Sequence, residues 1–169
     1  PYVSINLSAR QLNHKQLLNS FSAILQETGA NPAGIVVELT EAALMPDVES
    51  NSIIFHQLAD LGLQIAIDDF GTGYSSLSQL IQLPINLLKI SKSFVDDLES
   101  QHEKQVLIRT IIGLGHSLGL KLIVEGVETE VQLTELKQYG CDFIQGYFFY
   151  LPMHEQDFIR EMNHQASKG

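Results

Sequence analysis

One unit recurs along this chain. A helix-like stretch closes on Gly, a short apolar or β-branched run follows, and a polar residue ends the run. Leu61-Gly62 precedes Leu63-Gln64-Ile65-Ala66-Ile67 and then Asp68-Asp69, and Leu118-Gly119 precedes Leu120-Lys121-Leu122-Ile123-Val124 and then Glu125. Tyr139-Gly140 precedes Cys141-Asp142-Phe143-Ile144 and then Gln145, while Thr28-Gly29 stands a little earlier before Ile35-Val36-Val37 and Glu38. Gly suits a helix C-terminus, where a left-handed residue is needed. Short apolar runs suit strands buried on both faces, as parallel strands are. Val3-Ser4-Ile5 before Asn6 and Leu87-Leu88 before Lys89 complete a set of six predicted strands.

The closing residues are Asn6, Glu38, Asp68, Lys89, Glu125 and Gln145, spaced 20 to 36 residues apart, which is what successive βα units occupy. The segments between read as helices. Ser8 with Gln11 has capping-box spacing, and Thr129 and Gln132 open a later helix. Expected apolar stripes are Leu17, Phe21, Ile24 and Leu25; Ile54, Leu58 and Leu61; Leu77, Leu80 and Ile81; Val106, Ile111, Leu114 and Leu118; Leu133 and Leu136; and Phe158, Ile159 and Met162.

Strict alternation implies a parallel sheet with helices outside it. An open doubly wound sheet needs polar strand ends only at its switch point, whereas a barrel brings every strand end to one centre. All six runs here end in a polar residue, so the expected fold is α/β, a (β/α)8 TIM-type barrel with about six of eight βα units present. A complete barrel of this kind has about 250 residues. Residues 1–169 are therefore expected to lack the first two strands, and to need a partner surface or a second copy to cover the exposed edges.

Glu38, Asp68, Asp69 and Glu125 would converge with the amide of Asn6 and the ammonium of Lys89. Clustered carboxylates repel one another at low dielectric, so a positive charge belongs among them. Hard oxygen donors without Cys or His point to Mg2+ or Mn2+. Adjacent Asp68 and Asp69 suit a pair of ions, a device used for phosphodiester hydrolysis. Each residue also has a plainer reading: an acid after a strand is often a helix N-cap, and Lys89 could be a snorkelling lysine. Their joint occurrence at successive strand ends favours the site.

The chain carries 20 acidic against 10 basic residues and a formal charge of −10, which argues against binding polymeric nucleic acid through a basic face. An acidic pocket still holds a small anion when divalent cations lie between them. No apolar run approaches the roughly 20 residues of a membrane span, so direct membrane insertion is not expected. The expected location is the cytoplasm, or the cytoplasmic part of a membrane-anchored protein. Cys141, the one cysteine, cannot form an internal disulfide and reads as a small core residue. The six histidines, at 14, 56, 102, 116, 154 and 164, lack metal-ligand pair spacing and read as surface or helix residues.

The stretches Ser4-Ile5-Asn6-Leu7-Ser8, Glu38-Leu39-Thr40-Glu41, Asp68-Asp69-Phe70-Gly71-Thr72-Gly73-Tyr74-Ser75-Ser76-Leu77, Leu88-Lys89-Ile90, Glu125-Gly126-Val127-Glu128-Thr129 and Gln145-Gly146-Tyr147 together resemble the EAL domain family over the whole chain. The resemblance implies a metal-dependent phosphodiesterase that opens cyclic di-GMP to linear pGpG within a bacterial second-messenger protein. It implies that Asn6, Glu38 and Asp68 hold one ion, and Asp68, Asp69 and Glu125 a second. It casts Lys89, Glu125 and Gln145 as the catalytic residues acting on water and phosphate, Glu41 as the anchor of loop 71–76, and Glu128 as a supporting acid. It also implies a homodimer through that loop and the following helix, and an upstream sensory or GGDEF-type domain. The family's Glu-Ala-Leu motif is absent from these residues, so they are not expected to be active alone. Ser91 stands where the family usually has Asp, and Val124 where Ala is usual. Ser91 keeps open a catalytically weak EAL domain that acts as a cyclic di-GMP receptor or protein-interaction module.

Overall fold

In a computed structural model, residues 2–44, 48–73 and 77–166 are described. The elements in chain order are β1 (Val3–Asn6), α1 (Ala9–Leu12), α2 (Leu17–Thr28), a 3-10 turn (Pro32–Gly34), β2 (Ile35–Thr40), α3 (Glu41–Leu44), α4 (Val48–Asp60), β3 (Gln64–Phe70) and α5 (Leu77–Leu80). There follow β4 (Leu87–Ile90), α6 (Lys92–Val95), α7 (His102–Ser117), β5 (Lys121–Val124), α8 (Glu130–Gln138), β6 (Phe143–Ile144) and α9 (Glu155–Ala166). All six expected strands form, and Gly29, Gly62, Gly119 and Gly140 have φ between 64° and 86°. Two capping boxes close: Ser8 with Gln11 opens α1, and Thr129 with Gln132 opens α8.

The strands make one parallel sheet in the order β1-β2-β3-β4-β5-β6. Laid flat, six strands would hold the outer two about 24 Å apart. Yet the ring of Tyr2, just before β1, meets that of Phe143 in β6 edge to face, with centroids 6.2 Å apart. The sheet therefore curls into a half-barrel, its helices packed outside.

Pairing register sorts the side chains. Ser4 pairs with Val36, Glu38 with Ala66, Ala66 with Leu87, Leu87 with Lys121, and Ile123 with Phe143. Paired residues share a face and alternate residues return to it. Hence Asn6, Glu38, Asp68, Lys89, Glu125 and Gln145 all belong to the concave face, above a small inner cluster of Val36, Ala66, Leu87 and Ile123. The opposite parity, including Val37, Leu39, Ile65, Ile67, Leu88 and Ile90, packs under the helices with Phe55, Leu58, Ile108, Ile112 and Leu136 as the main core.

Several expected stripes rotate. Ile24 and Val106 are more than half exposed, as is Ile81 beyond α5, and Leu118 lies at the rim. In α7 the buried line is Ile108, Ile111, Ile112 and Gly115, because apolar residues lie on two sides of that helix and only the line facing β5 is covered. Phe158, Ile159 and Met162 of α9 are exposed, a face that no described element covers. Cys141 packs against the main core with its thiol directed at the Phe143 carbonyl, 3.0 Å away, and burial pushes its pKa up to about 11.

His116 is more than a surface residue. Its Nε2 meets Asp142 Oδ2 at 2.8 Å, while Lys121 Nζ donates to Asp142 Oδ1 at 2.6 Å and the Leu122 amide to Oδ2 at 3.0 Å. Asp142 thereby ties α7, β5 and the start of β6 at the end of the sheet opposite the clustered acids. Its burial raises the carboxyl pKa, but the three donors outweigh that and hold it at about 2, against an ordinary 3.8. A depressed carboxyl contributes stability that is fully present above the unfolded value and lost as pH falls through the folded one. Urea unfolding followed from pH 5 to pH 2 should show wild-type stability falling most steeply below about pH 4, with Asp142→Asn flattening that limb; parallel limbs would show that Asp142 contributes nothing.

Candidate active site

The concave face ends in charge. Glu38 reaches it because β2 runs on to Thr40, and Lys89 sits in the middle of β4 with all neighbours buried. Lys89 Nζ lies 2.7 Å from Glu38 Oε2, 2.6 Å from Glu125 Oε1 and 3.3 Å from Asp68 Oδ1, and the lysine is only 4% exposed. An ammonium has three hydrogens; three carboxylates surround this one. A buried charge persists only when paired in this way.

Asp68 and Asp69 pose a geometric problem, since consecutive strand residues point to opposite faces. The chain solves it with a bulge. Ile67 pairs with Leu88 and Phe70 with Ile90, so β3 takes three steps where β4 takes two. Asp69 adopts φ 54°, a left-handed conformation that Asp tolerates better than most residues, and its amide donates to Asp68 Oδ1 at 2.9 Å. Both carboxylates then gather with Glu125: one oxygen from each of Asp68, Asp69 and Glu125 lies within 4.8 Å of the others. A cation fits this donor set, because three hard oxygen ligands converge and the Lys89 ammonium is shared among three carboxylates.

Burial and charge both act on proton affinity here. Glu125 is pushed up, first by burial and then by the charges of Asp68 and Glu38, against the pull of Lys89. Burial opposes the charge on Lys89, but its bonds to Glu125 and Glu38 outweigh this and raise its pKa. The causes differ: burial comes first for Glu125, while the carboxylate partners raise Lys89 against burial.

The loop after β3 is held from the neighbouring strand. Glu41, buried at the start of α3, accepts from the amides of Gly71 at 2.8 Å and Gly73 at 3.3 Å through Oε2. Tyr74, Ser75 and Ser76, the rest of that loop, lie outside the described residues. Ser91 is buried at the head of α6 and makes no side-chain cap. Glu128 is half exposed and pairs with Lys92 at 2.5 Å. Asn6 is exposed and stands opposite Glu38 in register, and Gln145 is exposed just past β6, its amide donating to the Val124 carbonyl at 2.9 Å. Of the five predicted metal ligands, the structure gathers Asp68, Asp69 and Glu125, while Glu38 is turned to Lys89. Sequence reasoning did not anticipate the bulge or the placement of Lys92. A paired Asp-Asp in a strand is the available signal for the first; the second depends on a tertiary contact.

Comparison with known proteins agrees with this geometry. The EAL domain family model matches residues 1–152. The chain is 40% identical over 166 residues to the signaling protein YkoW of Bacillus subtilis, covering 98% of this chain and 21% of that protein. It is 40% identical over 151 residues to the cyclic di-GMP phosphodiesterase PdeR of Escherichia coli, covering 89% of this chain and 23% of that one. The chain thus spans less than a quarter of the length of these relatives. Among solved structures, the PaMucR phosphodiesterase in complex with c-di-GMP superposes with a TM-score of 0.89 at 38% identity, over 93% of this chain and 64% of that one. A curled parallel sheet, an acid-lined concave end and a family match over nearly its whole length place this chain in the EAL domain family.

Proposed function

We propose that this domain hydrolyses cyclic di-GMP to linear pGpG within a larger bacterial signalling protein, using Mg2+ or Mn2+. The observation that carries the reading is the convergence of Asp68, Asp69 and Glu125 made by the β3 bulge. Asp68, Asp69 and Glu125 would hold one ion, and Asn6 and Glu38 would join Asp68 at a second. When bound, such ions neutralise charge developing on phosphorus and lower the pKa of a water.

The chain's own residues supply the rest. Glu125, whose pKa is raised, is suited to take the proton of the attacking water. The water oxygen forms a bond to phosphorus, the bond from phosphorus to the 3′ oxygen breaks, and that oxygen leaves as a hydroxyl by taking a proton from solvent, while Glu125 returns the proton it accepted to solvent. Lys89 fixes the carboxylates of Glu38, Asp68 and Glu125 and, by releasing its longest contact to Asp68, can hold the water. Gln145, at the same rim, would orient water or phosphate. Glu41 fixes the backbone of residues 71–73 beside Asp69. A homodimer through residues 71–76 and α5, an upstream sensory or GGDEF-type domain, and a cytoplasmic location belong to the same reading.

Ser91 supports a second reading, a weakly catalytic receptor. It sits two residues after Lys89, is buried, and brings no charge to the metal side of the site. The full-length protein separates the two. Hydrolysis to pGpG in Mg2+ or Mn2+, abolished by chelator and restored by the metal, is expected; tight binding of cyclic di-GMP without turnover would establish the receptor instead.

Two substitutions in the full-length protein follow from the geometry. Glu41→Ala removes the acceptor for two loop amides and should lower kcat by roughly ten- to a hundredfold, the cost of misplacing a reacting group. Metal affinity should change little and Glu41→Gln should recover part of the rate; unchanged kcat would mean the loop needs no anchor. Ser91→Asp adds an anion near the ions and should raise the rate at limiting Mg2+, converging with wild type at saturation, so a metal titration with coincident curves would remove Ser91 from the account.

A further inference from the structure

Beside the acid cluster lies a second cleft of about 260 Å3, lined by Lys92, Glu125, Gly126, Glu128, Gln145 and Tyr147 among others. It shares Glu125 and Gln145 with the proposed catalytic set, so a substrate held there reaches into it. Lys92 enters this cleft over Gly126. A Cβ built on Gly126 would fall 2.3 Å from Lys92 Cγ and 2.6 Å from its Cβ, so the lysine stem lies flat on the one residue that leaves room for it. Gly126 also has φ 74°, which turns the chain away just after Glu125. The ammonium ends at Glu128 Oε1, 2.5 Å away, with the two side chains 50% and 45% exposed.

A cyclic dinucleotide carries two phosphodiesters, and only one is cut in a single opening step. The uncut phosphate needs a cation of its own in a cleft that carries Glu125 and Glu128 and lies beside the acid cluster. Lys89 cannot serve, because it is buried outside this cleft, is held by Glu38 and Glu125, and is already assigned to the attacking water. Lys92 can: it is solvent-exposed, flexible, adjacent to Glu125 in the cleft, and held by a single exposed carboxylate. An exposed ion pair of this kind contributes little and exchanges readily. A lysine serves phosphate as a point charge without a fixed fork geometry.

We propose that Lys92 is a substrate-binding residue that transfers from Glu128 to the uncut phosphodiester of the cyclic dinucleotide, so that Glu128 acts as a competitor for its ammonium. The inference rests on the proposed cyclic di-GMP specificity and adds to it a reason for preferring a substrate with two phosphodiesters.

The test uses the full-length protein and equilibrium binding in Ca2+, whose loose oxygen coordination favours ligand binding over turnover. The two probes are cyclic di-GMP and GpG, which has the same two guanosines joined by one phosphodiester. Lys92→Met should weaken cyclic di-GMP about tenfold, the size of one charge-assisted hydrogen bond, and leave GpG unchanged, with Lys92→Arg retaining affinity for both. Glu128→Gln frees the ammonium and should tighten cyclic di-GMP. Both Met and Gln variants break the same ion pair, so a pair with only a structural role would move affinity in one direction in both, and that result overturns the proposal. Equal weakening of both probes by Lys92→Met, or no weakening, also overturns it. Wild-type protein that binds neither probe would instead overturn the cyclic di-GMP specificity itself.

Discussion

The ammonium of Lys89 is the point on which the site depends. It bonds to carboxylates from β2, from β3 and from the residue after β5, while itself rising from β4. Four strand ends are thus joined through one buried group. Removing a partner from such a cluster leaves an uncompensated charge and costs about 3–5 kcal/mol in comparable buried pairs. The same ammonium sets the spacing of Glu38, Asp68 and Glu125, so the feature that makes their burial tolerable also arranges them for chemistry. Its single positive charge meets three carboxylates, and Glu125 is raised first by burial and then by the charges of Asp68 and Glu38. The site is built to receive further positive charge.

The sheet supports this by separating two tasks. Residues of one parity in each strand build the apolar layer under the helices, where Val37, Ile65, Ile67, Leu88 and Ile90 are almost fully buried. Residues of the other parity form a short inner cluster and then, nearer the C-terminal ends of the strands, the polar set. Stability and chemistry therefore occupy different faces of the same strands. The exception is β3, where the bulge lets two successive residues serve the concave face. Its strain falls on Asp69, whose amide is satisfied by Asp68 and whose carbonyl accepts from Thr72.

The loops extend this order outward. Glu41 uses one carboxylate oxygen for two amides of the loop after β3, and α3, which begins at Glu41, is tied to α4 where Asn51 Nδ2 donates to the Leu44 carbonyl at 3.0 Å. On the other side, the Lys92 stem lies against Gly126 and carries its charge to Glu128. Each loop is positioned by a charged residue from the adjoining βα unit. The ends of neighbouring units are thereby linked, and displacement of one is felt by the next.

Strand number and order, the helices between the strands, the Ser8 capping box and the polar residue closing each strand are all legible in the sequence. These are local matters: hydrophobic period, Gly at helix ends and cap spacing are written within a few residues of where they act. The sequence by itself also determined family membership, because Asp68-Asp69-Phe70-Gly71-Thr72-Gly73 and the spaced acids are specific as a set. Which side of α7 is buried depends on packing, since Val106 and Ile108 are both strongly apolar yet Val106 is half exposed and Ile108 fully buried. Only the tertiary structure decided that Glu38 turns to Lys89 while Asp68, Asp69 and Glu125 gather, because that division depends on strand register, a bulge and a left-handed Asp69. Charge type is a property of a residue, but which charges meet is a property of pairing, and residues 38, 68, 89 and 125 meet because β2 to β5 lie side by side in one register.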